Sequence, residues 1–305
     1  MLTKLAAGAA GAAVAVAAMQ AWRWRAEMAA AVEEEADDLA PEGGIHPTGI
    51  SRRMARALKK HRGKIHVFDR LAPEKTALLV IDMQGSFLDD SSRQQPYYCP
   101  RGKAIIPRIN QAVEEVRSRG GKVVWITSDV GPDSLTSWSV LYESFFPSTG
   151  GVRERIRKSL KVNAGRWGST YDPRCCKHGM DGPLDLDLDF REGDEVVKKD
   201  RFSPLTAGGG KHQGCSPSDG PVGPKSFAES LASWGIDSLV LSGVTTGCCV
   251  EGTARDAMQL NFKVVVLSDA CAASRLQHHT ASLDHLAYLM ADVRTVSELP
   301  TLFGV

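Results

Sequence analysis

Three side chains of different chemistry each follow a short run rich in β-branched residues. Asp82 ends the run TALLVID, Lys199 ends DEVVKK, and Cys249 follows SLVLSGVTTGC across a glycine-containing turn. In an open parallel sheet, ligands bind outside the carboxyl ends of the strands, so side chains at three such ends would converge on one pocket. A carboxyl, an ammonium and a thiol in one pocket indicate a cysteine-dependent hydrolase that acts on a small C–N bond.

Each of the three has a defined chemical role and a plainer alternative. We expect the start of a helix to lower the pKa of the Cys249 thiol, and the amides of the turn 243–247 to form an oxyanion hole. The alternative is an ordinary buried cysteine. Asp82 would take the thiol proton and return it to the leaving amine, unless it only caps the following turn. Lys199 would stabilise both anions, and the competitor for that role is Lys198, which faces the opposite side of the strand.

Apolar periodicity places these residues on alternating strands and helices. Near-continuous apolar runs predict buried parallel strands, whereas apolar residues spaced three and four apart predict helices. We predict strands at 76–82, 122–127, 238–242, 263–268 and 293–296, and helices near 103–119, around 227–234, from 249 to about 260, and around 283–290. The alternation is typical of an α/β protein, a three-layer α-β-α sandwich in a single domain with an N-terminal extension.

The N-terminal extension divides into two predicted segments. Residues 1–25 hold an apolar stretch, Leu5–Met19, between a lysine and an Arg/Trp cluster, which indicates a targeting or weak anchoring segment; a harmless Ala-rich helical tail is the alternative. Residues 26–65 are charged, and we interpret them as a linker or peripheral arm whose basic run Ser51–Lys64 could meet anionic lipid. The predicted hydrolase domain is 66–305, with insertions near 131–192 and 203–224.

The bulk composition is that of an ordinary globular protein. Of 305 residues, 43% are hydrophobic and 24% charged, and 37 basic residues against 36 acidic ones predict no nucleic-acid partner. The seven cysteines are odd in number and scattered, which does not indicate a disulfide framework. Because a nucleophilic thiol favours a reducing compartment, we expect an intracellular protein, in an organelle or at a membrane if residues 1–25 direct it there.

The motifs around the three residues resemble those of the isochorismatase-like cysteine hydrolase superfamily. They are Asp82-Met83-Gln84 after TALLVI, VVKKDRFSP, and GVTTGCCVEGTARDA followed by VVVLSDA, and the resemblance covers about residues 64–298. Members include nicotinamidases, N-carbamoylsarcosine and ureidoacrylate amidohydrolases, and biuret hydrolase. The resemblance implies a six-stranded, mostly parallel sheet with helices on both sides, a small-molecule substrate, no cofactor and a homo-oligomer.

The resemblance also implies residue roles. The catalytic triad would be Asp82, Lys199 and Cys249, and Cys249 is chosen over its neighbour because the family nucleophile lies three positions beyond the threonine of the turn. The bond Val244–Thr245 would be a cis peptide, and the amides of Thr245 and Cys249 would hold the oxyanion. Cys249 would then attack an amide or ureido carbonyl, form a thioester and release ammonia or an amine.

The sequence departs from the family pattern around the substrate pocket. Gly247 stands where many relatives have Asn or Asp. The segment after the second strand, SDVGPDSLTSW, lacks the Asp-x-His metal motif of nicotinamidases, so we predict no metal in the site. We predict Phe87 and Trp167 as pocket walls and Arg201 as a partner for a substrate carboxylate. For both aromatic residues, ordinary core packing is the alternative.

Other readings of the sequence stay open. Two loops contain Cys and His residues: Cys175, Cys176 and His178 in one, His212 and Cys215 in the other. These residues could bind a metal, form a disulfide or be unrelated to one another. A metal-dependent lyase or redox protein would follow from the first of these. Gly247 and the two insertions suggest a catalytically silent small-molecule binder on the same fold. A vinyl ether hydrolase of the isochorismatase type is a further alternative.

Overall fold

The computed structural model describes Met19, His46 and residues 48–88, 90, 98–128, 137–145, 187–206, 210–212 and 226–304. Residues Gly43–Val305 form one compact unit, and Met1–Glu42 form another, in which only Met19 is described. The apolar stretch Leu5–Met19 therefore lies almost entirely outside the described residues. So do Trp167 and the loop residues Cys175, Cys176, His178 and Cys215, and the side chain of His212 is not described either.

A seven-stranded sheet forms the centre of the compact unit, in the order β4-β3-β2-β1-β5-β6-β7. The strands are β1 (Thr76–Ile81), β2 (Lys122–Ser128), β3 (Glu195–Lys199), β4 (Gly210–His212), β5 (Ser238–Val244), β6 (Lys263–Ala272) and β7 (Asp292–Arg294). Six of them run parallel, which confirms the predicted sheet, and β4 adds an antiparallel edge on β3. Since β1 lies in the middle with β2 and β5 beside it, its carboxyl end is the centre of the site described below.

Helices cover both faces of the sheet, so its central strands are buried throughout. They are α1 (Arg52–Arg62), α2 (Gly85–Leu88), α3 (Ile106–Arg117), α4 (Phe227–Ser233), α5 (Glu251–Gln259), α6 (Leu276–Leu289) and α7 (Leu299–Leu302). Along β1, Leu78 and Val80 pack with α3 and α7 on one face, whereas Leu79 and Ile81 pack with α4, α5 and α6 on the other. This is the predicted α-β-α sandwich.

Helix α1 lies in the charged region that the sequence suggested was a linker or arm. Ser51 caps its start by accepting from the Met54 amide, and Gly63 ends it in a left-handed conformation. Leu58 is fully buried in the core on the side of the sheet that α4, α5 and α6 cover. The Ser51 amide also donates to Asp284 of α6 at 2.7 Å. Burial of one apolar side chain and a cap that reaches α6 fix this helix to the compact unit.

In the part of the chain that the structure describes, no helix is both long enough and apolar enough to cross a membrane.

Candidate active site

Two strand ends deliver the carboxyl and the ammonium to the same edge of the sheet. Asp82 follows β1 with a φ of 53°, and its amide donates to the Ile126 carbonyl of β2 at 2.9 Å. Positive φ is uncommon for a residue other than glycine, and Asp tolerates it better than most. This conformation ends the strand and turns the chain away from the sheet. Lys199 is the last residue of β3, and Ser128, its partner in the register, is the last of β2.

The thiol reaches this edge through a tight turn after β5. A Cβ on Gly243 would lie 2.1 Å from the Ile81 carbonyl oxygen, so only glycine lets β5 approach β1 here. The bond Val244–Thr245 is a cis peptide, as the sequence resemblance implied. A π-helical turn from Thr246 to Val250 then carries Cys249 and leads into α5. The predicted helix start near Cys249 is therefore a π turn followed by an α-helix.

The three side chains meet in a buried cluster. The Lys199 ammonium donates to Asp82 Oδ2 at 2.7 Å and to Cys249 Sγ at 3.4 Å, and its third contact is Ser128 Oγ at 3.1 Å. The side chains of Lys199 and Asp82 are fully buried. An ammonium removed from water needs all three of its protons bound, and these partners satisfy that requirement. Lys198, the competitor for this role, is only half-buried.

Burial and charge set the protonation of the cluster. Burial raises the pKa of the Cys249 thiol well above its ordinary value, the Asp82 carboxylate raises it further, and the Lys199 ammonium lowers it by a smaller amount. Burial opposes the charge of Lys199, but the Asp82 carboxylate and the Cys249 sulfur outweigh it and raise the pKa of that ammonium. The resting cluster is thus a carboxylate–ammonium pair beside a neutral thiol. The expectation that the pKa of Cys249 is lowered is wrong, because burial and the nearby Asp82 carboxylate raise it.

One buried oxygen of the cluster has no hydrogen-bond donor. Asp82 Oδ2 accepts from Lys199, whereas Oδ1 has no hydrogen-bond partner among the described residues. An unpaired buried carboxylate oxygen is costly, and it is free to accept a proton. The cluster therefore holds a base with a vacant acceptor beside a thiol that still carries its proton.

A glutamine that the sequence argument did not assign holds two strand ends together. The Ser128 amide donates to Gln84 Oε1 at 2.7 Å, and Gln84 Nε2 donates to the Ser128 carbonyl at 3.2 Å. Gln84 follows Asp82 by two residues and Ser128 touches Lys199, so this clamp couples the positions of the carboxylate and the ammonium. The presence of Gln84 in the Asp82-Met83-Gln84 motif is the one feature of the sequence that could have indicated this role.

A pair of buried histidines contacts the turn that carries Cys249, and nothing in the sequence indicated it. His279 Nδ1 is 2.8 Å from Thr246 Oγ1, and the imidazole stacks on that of His46 at 4.5 Å between centroids. Burial, then the charges of His46 and Arg101, lower the pKa of His279 to about 3, so it is neutral at physiological pH. The sequence gives no sign of this pair, because His46 and His279 are far apart in the chain and only the fold brings them together.

The predicted pocket residues occupy different surroundings. Phe87 is half-buried on α2 and packs against the core on the α3 side of the sheet. Arg201 forms an ion pair with Asp200 at 3.1 Å, donates to Ser137 and lies over the ring of Trp138. Its guanidinium therefore fixes the segment that begins at 137. Contact of either residue with a substrate stays a prediction, and Trp167 lies outside the described residues.

Comparison with known proteins identifies the family. A family model for the isochorismatase domain matches residues 76–298, which is most of the chain and includes all three strand ends. The chain belongs to the isochorismatase family, and the class of protein is accordingly a hydrolase.

Individual relatives are distant. An uncharacterized isochorismatase family protein, YecD, from Escherichia coli is 43% identical over 65 residues, which is 21% of this chain and 35% of that protein. A probable inactive nicotinamidase from Arabidopsis thaliana is 28% identical over 68% of this chain and 86% of its own length. The ureidoacrylate amidohydrolase RutB from Acinetobacter baylyi is 26% identical over 70% of this chain and 78% of its own length.

The fold has solved counterparts. The crystal structure of an isochorismatase family protein from Desulfovibrio vulgaris superposes with a TM-score of 0.51 at 22% identity, covering 76% of this chain and 99% of the other. At this identity, the likeness supports the fold alone.

Proposed function

We propose that this protein hydrolyses a C–N bond of a small amide, ureide or carbamoyl compound through a thioester on Cys249. The observation that carries the proposal is the single ammonium of Lys199, which lies within 2.7 Å of the Asp82 carboxylate and 3.4 Å of the Cys249 sulfur in a buried site. A nucleophile and a base that both contact one cation are the parts that covalent acyl transfer requires.

In the first half of the reaction, Asp82 is the base. The free oxygen Oδ1 accepts the thiol proton as Cys249 Sγ attacks the substrate carbonyl carbon, so the buried thiolate is formed only as it reacts. The carbonyl oxygen gains the negative charge, and the amides of Thr245 and Cys249 would stabilise it. When the tetrahedral intermediate collapses, the C–N bond breaks and Asp82 returns the proton to the leaving nitrogen.

In the second half, water replaces the amine. Asp82, again a carboxylate, accepts a proton from water while the water oxygen attacks the thioester carbonyl. The C–S bond then breaks, the sulfur takes the proton back, and the acid leaves. Lys199 keeps its proton throughout, because its pKa is raised and its role is to offset the negative charge that passes between carboxylate and sulfur.

The thiol favours an amidase over a vinyl ether hydrolase, since isochorismatases themselves do not use a thiol nucleophile. Among amidase substrates, the relative named ureidoacrylate amidohydrolase makes ureides the first class to test. A second candidate function is a catalytically silent small-molecule binder. One relative bears the name probable inactive nicotinamidase, and Gly247 departs from the usual turn sequence.

The test is an ammonia-release screen over amides, ureides and carbamoyl compounds with the full chain. Cys249→Ala should abolish release, and trapping with hydroxylamine should divert the acyl group before water does. Cys248→Ala is the matched control, because that neighbour is exposed on the same turn. Turnover that survives in Cys249→Ala would refute the thioester mechanism. Substrate binding to the wild-type protein with neither ammonia release nor acyl transfer would favour the silent binder.

A further inference from the structure

Helix α1 presents an unusual concentration of positive charge. Its eleven residues, RRMARALKKHR, include six Lys or Arg and no acidic residue. The whole chain has a formal net charge of only +1, so this charge is local and is not a general property of the surface. The proposed hydrolysis takes place at the sheet edge and gives no role to this helix.

The charges lie on the side of the helix that faces away from the protein. Leu58 is fully buried and Met54 packs beside it against the core. At about 100° per residue, the exposed Lys and Arg side chains fall within an arc of about 120° centred opposite those two residues. They are Arg52, Arg53, Arg56, Lys59 and Lys60.

None of these five side chains has a carboxylate partner within the described part of the chain. Elsewhere on the surface, exposed cations are commonly paired, as Lys64 is with Asp69 and Lys263 with Asp237. Five unpaired cations on one rigid face repel one another, and that cost falls when an anionic surface lies against them.

The preceding sequence indicates which anionic surface this is. Leu5–Met19 is apolar, and Trp22-Arg23-Trp24-Arg25 follows it. Tryptophan and arginine beside an apolar stretch are typical of the boundary between lipid and water, and nucleic-acid binding has no use for the apolar part. About 26 residues lie between this stretch and His46, which is buried on the core, a length that reaches up to about 90 Å when extended, so the stretch and α1 can contact one bilayer.

We propose that the basic face of α1 binds the surface of an anionic lipid bilayer, with the five side chains against the headgroups. A short apolar segment alone gives marginal, reversible membrane binding, and a basic patch supplies the second attraction that makes it stable. The apolar side of α1 is already used for packing on the core, so the helix contributes electrostatic attraction and does not insert.

The experiment is vesicle co-sedimentation of the full chain with phosphatidylcholine vesicles and with vesicles that also contain phosphatidylserine. The test variant is Arg53→Gln/Arg56→Gln/Lys60→Gln. The matched control is Lys75→Gln/Lys103→Gln/Lys263→Gln, which removes the same charge from exposed positions away from α1. Each basic residue near an anionic surface strengthens partitioning by roughly fivefold, so the test variant should bind phosphatidylserine vesicles roughly 100-fold more weakly than wild type. The control should stay within about threefold of wild type.

Salt and competitors complete the test. Wild-type binding should weaken strongly between about 0.1 M and about 1 M salt, because the Debye length falls from about 10 Å to about 3 Å. Thermal melts confirm that both triple variants are folded. Equal loss in test and control variants would show a net-charge effect and overturn the proposal. So would equal binding to neutral and anionic vesicles, or tighter binding to duplex DNA than to phosphatidylserine vesicles.

Discussion

Acid should destabilise this protein through the buried histidine pair. His279 is neutral in the folded protein because burial, His46 and Arg101 lower its pKa to about 3, whereas in the unfolded chain its pKa is 6.5. Below pH 6.5 the unfolded chain binds a proton that the folded protein does not. The stability that this histidine contributes is therefore fully present above pH 6.5 and is lost as the pH falls towards about 3.

The size of the effect follows from the two pKa values. The pKa of His279 is 6.5 in the unfolded chain and about 3 in the folded protein, so on acidification mainly the unfolded chain takes up a proton. Between about pH 7.5 and about pH 5, this uptake lowers the free energy of unfolding by about 2 kcal/mol. His279→Asn should remove this contribution, since Asn keeps a polar atom near the position of Nδ1 and cannot be protonated. The variant should be less stable than wild type at the higher pH and should lose less stability on acidification.

Urea unfolding at the two pH values measures this directly, and the comparison is the change in stability of each protein with pH. His285→Asn is the matched control, because His285 is an exposed histidine on the same helix, α6. We expect the control to follow wild type. If wild type and His279→Asn lose the same free energy on acidification, the buried neutral histidine does not explain the acid sensitivity.

Two further predictions concern the cluster and its turn. Asp82→Asn removes the carboxylate that raises the pKa of Cys249, so iodoacetamide should alkylate Cys249 faster near neutral pH while hydrolysis falls by about 10²–10⁴-fold. Slower alkylation, or retained hydrolysis, would contradict the base role. Gly243→Ala should cost more than about 3 kcal/mol, because its Cβ would meet the Ile81 carbonyl oxygen at a positive φ. Gly247→Ala is the control, since its nearest contact is an ordinary 3.6 Å, and equal melting temperatures for the two variants would refute the packing argument.

The strands and the three strand-end residues could be predicted because a parallel sheet has a simple sequence pattern. A strand buried on both faces must be apolar throughout, so the polar residue that ends TALLVID is conspicuous, and parallel strands share one carboxyl edge. The antiparallel strand β4 has no such pattern. Its residues Gly210–His212 lie in a Gly/Ser/Pro stretch, and they become a strand only because β3 offers an open edge.

The position of helix α1 on the core and the protonation of Cys249 could not be predicted from the sequence, for related reasons. The basic run Ser51–Lys64 has few apolar residues, and its helix is held on the core by contacts to residues distant in sequence, among them the burial of Leu58 and the hydrogen bond of Ser51 to Asp284. Likewise, the pKa of Cys249 depends on how deeply the thiol is buried and on the closeness of Asp82. Both depend on contacts between distant parts of the chain in the folded protein, and the local sequence around a helix start does not specify them.

The resting state of the cluster separates this site from a site that stores a thiolate. A thiolate–imidazolium pair keeps its nucleophile charged, and a charged sulfur is also open to oxidation and to alkylation by any electrophile. Here Lys199 pairs with Asp82, and the sulfur keeps its proton at neutral pH because burial and the carboxylate raise its pKa. In the proposed mechanism, the thiol loses that proton only when a substrate carbonyl is in place to receive the electron pair. If that mechanism holds, we expect selectivity for substrate over other electrophiles to come from the same burial that raises the pKa of the thiol.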